Sequence, residues 1–248
     1  ESACKSALKD FHKITYNTLM PYVKDISKNK KIAKVNVVDK APKGIVRGAD
    51  YYKNAELKYP NASIDMLNYE ARGISKETII NICSMGFVGA ATNLIITGAT
   101  GAGKTYLSCV IGVEACKQTL RTCYIRMPDM LAHFQNHKDN LREQIRYRKR
   151  LGNYKVLIID EWLNYKVNER ESKFIYELIE QRCGNNPTVF VGQYEVADWH
   201  ERLGGGTQAD SIMDRIIHNS YTIPTTDKNL RKIYDTEKAK AVINQIQK

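Results

Sequence analysis

Gly98-Ala99-Thr100-Gly101-Ala102-Gly103-Lys104-Thr105 restricts this chain more than any other stretch of it. It fits the pattern G-x-x-x-x-G-K-[ST], and its surroundings fit as well. The apolar run Asn93 to Thr97 precedes it, and a helical pattern with Leu107, Val110, Ile111 and Val113 follows. Strand, glycine-rich loop and helix start make a cradle for phosphate. Glycines let the backbone curl so that successive N–H groups point inward, and the positive end of the helix dipole adds to the attraction. The expected ligand is ATP. Gly98, Thr100, Gly101, Ala102, Gly103, Lys104, Thr105 and Tyr106 form the expected binding set. Lys104 is expected to reach the β- and γ-phosphates, and the Thr105 hydroxyl to ligate Mg²⁺.

Further apolar runs follow at Cys123-Tyr124-Ile125, Val156-Leu157-Ile158-Ile159 and Val189-Phe190-Val191, with a weaker one at Tyr221-Thr222-Ile223. They are continuous rather than alternating, as in strands buried on both faces. Helical patterns separate them, which predicts a parallel five-stranded α/β sheet flanked by helices. One helix is fully punctuated: Asn168 and Glu171 suit a capping box, Phe174, Ile175, Leu178 and Ile179 form one stripe, and Gly184 and Pro187 close it. Another starts after Ser75 and carries Ile79, Ile80 and Cys83. Residues 1–60 have weaker periodicity and more Lys and Tyr. They are expected to form a small, mostly helical N-terminal segment ahead of an ATPase domain at 61–248. Its basic stretch Ser27 to Lys31 reads as a solvated loop or a phosphate-contacting arm.

The third run ends in Asp160-Glu161. Strand carboxyl ends open onto the ligand crevice in sheets of this kind. Asp160 is expected to hold Mg²⁺ through water, and Glu161 to polarise the attacking water as general base. That combination predicts an ATP-hydrolysing enzyme.

The net charge of +11 points to a polyanionic partner. Six scattered cysteines form no C-x-x-C pair and read as small core residues in a reducing cytoplasm. No run is long and apolar enough to span a membrane, and no leader is expected.

Beyond these residues, the tail Trp199-His200-Glu201-Arg202-Leu203-Gly204, Ala209 to Arg215, His218-Asn219-Ser220 and Leu230-Arg231-Lys232 resembles the IstB-like transposition-helper AAA+ ATPases. That group is related to DnaC-type helicase loaders. Tyr59-Pro60-Asn61-Ala62 and Arg72-Gly73-Ile74 resemble it too, so the likeness spans about residues 55 to 234. The resemblance implies an AAA+ P-loop fold and an oligomer with shared ATP sites. It implies assembly on duplex DNA and delivery of that DNA to a transposase of the DDE type, hence a role in DNA recombination. It places Gln193 at the sensor-1 position, Arg215 at the arginine finger that enters a neighbour's site, and Arg231 at sensor 2. Each of these roles is physically sensible, since an amide can orient water and a cation can stabilise charge on phosphoryl oxygens. Trp162 follows the acidic pair as in the family, and reads equally well as core.

Between the second and third runs lies an extra helical segment. The resemblance to initiators and loaders turns it toward a central channel. Arg142, Arg146 and Lys149 recur at i, i+4 and i+7 on one face, and with Lys138 they are the expected DNA contacts. Tyr147 is a possible stacking ring. No readout motif is visible, so binding is expected to be largely sequence-nonspecific. A helicase loader is the alternative reading. A small-molecule P-loop kinase, or ATP acting only as assembly glue, fits the acidic pair less well.

Overall fold

The computed structural model describes residues 48–230. Arg231 and the basic stretch at Ser27 to Lys31 lie outside them.

Five short strands, β1 (Asn93–Thr97), β2 (Thr122–Arg126), β3 (Val156–Asp160), β4 (Thr188–Val191) and β5 (Ser220–Pro224), form one parallel sheet in the order β2-β3-β4-β1-β5. All five fall on the runs expected from sequence. β1 sits between β4 and β5, so the phosphate loop leaves from the interior of the sheet. β2 is an edge strand whose Arg126 pairs in register with Asp160 of β3.

Alternation along the strands splits the core in two. Leu94, Ile96, Tyr124, Val156, Ile158 and Ile223 face one layer of helices. These are α1 (Gly48–Ala55), α2 (Lys76–Cys83), the single turn α3 (Gly86–Gly89) and α4 (Lys104–Lys117). Ile95, Cys123, Leu157, Ile159 and Phe190 face the other layer. It comprises α5 (Met127–Asn136), α6 (Leu141–Gly152), α7 (Glu169–Arg182), α8 (Trp199–Arg202) and α9 (Gly206–Ile217). Truncating one of these inward side chains, such as Ile158, to Ala would cost ~2–5 kcal/mol. α4 packs closely at Gly112, where an added Cβ would stand 2.5 Å from Leu57 and 3.0 Å from Ile158 of β3.

Local signals in the sequence behave as their chemistry requires. Ser75 accepts from the Thr78 N–H, and Asn168 and Glu171 form a reciprocal capping box, a cap of the type that contributes ~1 kcal/mol. Gly184 stands at φ 72°, in the left-handed region that ends helices. Burial pushes the Cys83 and Cys123 thiols up to about 12 and Cys109 to about 11, so they serve as packing atoms. Residues 51–60, grouped above with the N-terminal segment, pack into the same core: Ala55 and Leu57 are buried beside α4. Among the described residues, no helix is long and apolar enough to cross a membrane.

Candidate nucleotide site

The parity that divides the core also builds the site. Residues 122, 124 and 126 of β2 and 156, 158 and 160 of β3 lie on the face that carries α4. The carboxyl ends of β1, β3 and β4 converge with the phosphate loop on one cleft of about 660 Å³. Its walls include Thr100, Gly101, Gly103, Lys104, Thr105, Asp160, Glu161 and Gln193. Lys58, Tyr59, Arg72, Tyr106 and Leu230 line it too.

The phosphate loop needs its glycines for two reasons. Gly103 has φ 83° and caps α4, and a Cβ there would meet the Arg72 guanidinium at 2.7 Å. Gly101 has φ 88° and a Cβ would lie 2.2 Å from the Asn229 side chain. The loop is thus gripped from the N-terminal side by Arg72 and from the C-terminal side by the segment after β5. Arg72 O accepts from Thr226 N at 2.8 Å, and Gly101 O accepts from Leu230 N at 3.0 Å. Lys104 Nζ donates to the carbonyls of Gly98 and Ala99 at 2.7 and 2.8 Å, inside the loop's own curl. Ala102 is fully buried, a backbone spacer in the loop.

The metal-binding expectations meet at Asp160. Thr105 Oγ1 donates to Asp160 Oδ2 at 2.8 Å, from the first turn of α4 to the end of β3. A hydroxyl and a carboxylate side by side, both hard oxygen donors, suit Mg²⁺ completed by substrate phosphates and water. Asp160 is almost fully buried.

Glu161 stands at φ 56°, a left-handed conformation that non-glycine residues adopt at a cost of ~1–3 kcal/mol. Three contacts hold the turn. Glu161 N donates to Asp160 Oδ1 at 2.8 Å. Trp162 N donates to Val191 O at 2.8 Å. Arg126 grips the Glu161 carboxylate with two hydrogen bonds, from Nε and Nη2, both 2.9 Å. This fork is charge-assisted, and the carboxylate pushes the Arg126 pKa above its usual range. Gln193, at the end of β4, accepts from Thr100 Oγ1 at 2.9 Å and lines the cleft beside the acidic pair.

Other expected residues lie elsewhere. Arg215, on α9, is outside the cleft lining. It packs over the Tyr176 ring, donates to the Tyr176 hydroxyl and to Ser211 O, and lies 3.5 Å from Glu180. Asp210, on the same helix, faces His200 at 3.2 Å instead of Arg215. Arg142, Arg146 and Lys149 do share one face of α6, and there they border a shallow groove with Arg121, Ile145, Arg150 and Asn153. Lys138 sits in the turn before α6 and does not line that groove. The stacking role imagined for Tyr147 is corrected. Its ring is buried between His133, 4.0 Å away, and Phe174, 6.0 Å away, because α6 turns this residue toward α5 and α7. Trp162 is core, packed on Phe190 and Trp199.

Sequence reasoning passed over Tyr124 and Arg126. Their spacing of two on a strand was the available signal. The register that sets Arg126 beside Asp160 is a property of the folded sheet.

Comparison with known proteins agrees with this geometry. A model of the IstB-like ATP binding protein family matches residues 23–239. An insertion sequence ATP-binding protein of Sinorhizobium fredii is 30% identical over 178 residues, 72% of either chain. Among solved structures, DnaI superposes with a TM-score of 0.54 at 21% identity, covering 68% of this chain and 90% of that one. The DnaC helicase loader gives 0.53 at 18% identity, covering 60% and 87%. The fold is therefore the AAA+ P-loop architecture, and the chain belongs to the IstB-like ATP-binding family.

Proposed function

We propose that this protein is a magnesium-dependent ATPase of the transposition-helper type, which assembles on duplex DNA and passes it to a transposase. The observation that carries the reading is the pairing of Thr105 with Asp160 beside a positioned Glu161, all within the cleft of the phosphate loop. A protein that used ATP only as glue would have no need of Glu161. Family membership supports the role in insertion-sequence transposition.

In this reading Lys104 and the loop amides hold the triphosphate, while Thr105 would ligate Mg²⁺ and Asp160 would hold it through water. When bound, the ion neutralises charge that develops on the phosphate oxygens. Glu161 takes the proton of the attacking water, and Gln193 orients that water. Arg215 of a neighbouring subunit stabilises the transferred phosphoryl group, and Arg231 contributes from the sensor-2 position. Self-association follows, because each site then needs a second copy.

DNA is held on the α6 face by Arg142, Arg146 and Lys149, with Arg121 and Arg150 alongside and Lys138 near by. Arg121 and Arg150 lie over the rings of Tyr154 and Tyr147, which fixes their guanidinium groups. Contacts of this kind are to the backbone, so little sequence preference is expected. Hydrolysis resets the assembly.

The test is turnover by the wild-type chain against Glu161→Gln. The variant should bind ATP normally, lose about a hundredfold or more in turnover, and remain on DNA as a trapped assembly. Rapid release of DNA by that variant would contradict the base assignment.

A further inference from the structure

Tyr124 is absent from every nucleotide-binding signature in this sequence, yet its side chain reaches Asp160 in the cleft wall. It lies on edge strand β2, two residues before Arg126, on the sheet face that carries α4. It is only 6% exposed, and its hydroxyl donates to Asp160 Oδ2 at 2.7 Å. That oxygen also accepts from Thr105 Oγ1 at 2.8 Å. The other oxygen, Oδ1, accepts from Glu161 N at 2.8 Å. An ionised carboxylate offers about four acceptor positions. Donors from β2, from α4 and from the turn after β3 engage three of them, and the fourth is on Oδ1.

We propose that Tyr124 is a positioning residue of the magnesium site, clamping the Asp160 carboxylate so that Oδ1 turns its fourth acceptor position toward a metal-bound water. The proposal rests on the reading above, in which Mg²⁺ and nucleotide bind between Thr105 and Asp160. The physical need is orientation. The terminal torsion of Asp is broad and does not fix the carboxylate plane, whereas Mg²⁺ demands near-octahedral geometry and retains several waters. Thr105 cannot serve as the sole reference, because its own oxygen must give a lone pair to the metal. Tyr124 comes from a strand of which no residue lines the cleft, so its hydrogen bond can stay in place throughout turnover. With Arg126 on Glu161, one edge strand then sets both carboxylates: Tyr124 the metal-binding one, Arg126 the basic one.

The experiment uses the full chain and a fluorescent ADP analogue. Its affinity is measured in EDTA and across a magnesium titration, for wild type and Tyr124→Phe, which keeps the ring and its packing. The wild type should bind more tightly as magnesium is added. In Tyr124→Phe the magnesium concentration giving half of that gain should rise about tenfold, as for other partners that orient a metal ligand, while affinity in EDTA is unchanged. In an Asp160→Ala background, Tyr124→Phe should produce no further change. An unaltered magnesium half-point overturns the proposal, and so does an equal loss with and without metal, which would mark a structural role. If Tyr124→Phe does not fold, 3-fluorotyrosine at position 124 keeps the shape and alters the donor. It must then shift the magnesium half-point, and no shift overturns the proposal. A wild-type chain indifferent to magnesium would instead defeat the underlying reading of the site.

Discussion

The phosphate cleft and the outer face of α6 are both rich in charge, but only the cleft answers its own charges. Thr105 and Tyr124 satisfy Asp160, Arg126 grips Glu161, Thr100 meets Gln193, and Lys104 donates into its own loop. On α6, Arg146 reaches only Glu143 on its own helix. Arg121, Arg142, Lys149 and Arg150 make no ion pair among the described residues. A site that closes on itself is pre-organised, with its groups held where the chemistry needs them. A face of like charge is completed from outside, by a polyanion. Arg215 stands between the two cases. It is pinned by Tyr176 and Glu180 on its own chain, although its proposed work is on a neighbour.

The sharpest way to break this comparison is at Arg215. Arg215→Ala should leave ATP binding intact and reduce turnover about a thousandfold, as removal of an arginine finger does. Adding wild-type subunits should partly restore the rate. Loss of nucleotide affinity in that variant would mean that Arg215 acts within its own chain. A smaller effect is expected at Arg126. Arg126→Ala removes the fork from Glu161 and should lower DNA-independent turnover about tenfold, a change of roughly 1.4 kcal/mol in the barrier. A rise would show that the fork holds the base back rather than in place. The weakest single contacts are those of the open face. Replacing both Arg142 and Lys149 with Ala should lower DNA affinity alike on all sequences and reduce the salt slope by about two. ATP turnover without DNA should be unaffected. Equal binding by the parent chain at about 50 and 200 mM salt would remove the case for several phosphate contacts.

The same division governs what could be read in advance. The phosphate loop, the five strands and the capping box of α7 depend on residues adjacent in sequence, and each lies where local chemistry put it. The place of Asp160 and Glu161 in the cleft wall was legible because a buried strand ended in two carboxylates. Tyr124 and Arg126 were not, since their partners are fixed by the register of β2 on β3. Tyr147 was misjudged for a related reason. A basic helix shows its charged face in sequence, but which flank turns inward depends on where α5 and α7 pack. Arg72 carried a family resemblance, whereas its grip on Gly103 is a matter of tertiary contact.

The most direct test of the whole account is ATP hydrolysis at one fixed salt with no DNA, with duplex DNA and with single-stranded DNA, using Glu161→Gln as the blank. The account predicts strong stimulation by duplex. A preference for single strands would favour a helicase loader instead, and turnover indifferent to either DNA would contradict the claim that DNA held on the open basic face is coupled to hydrolysis in the closed cleft.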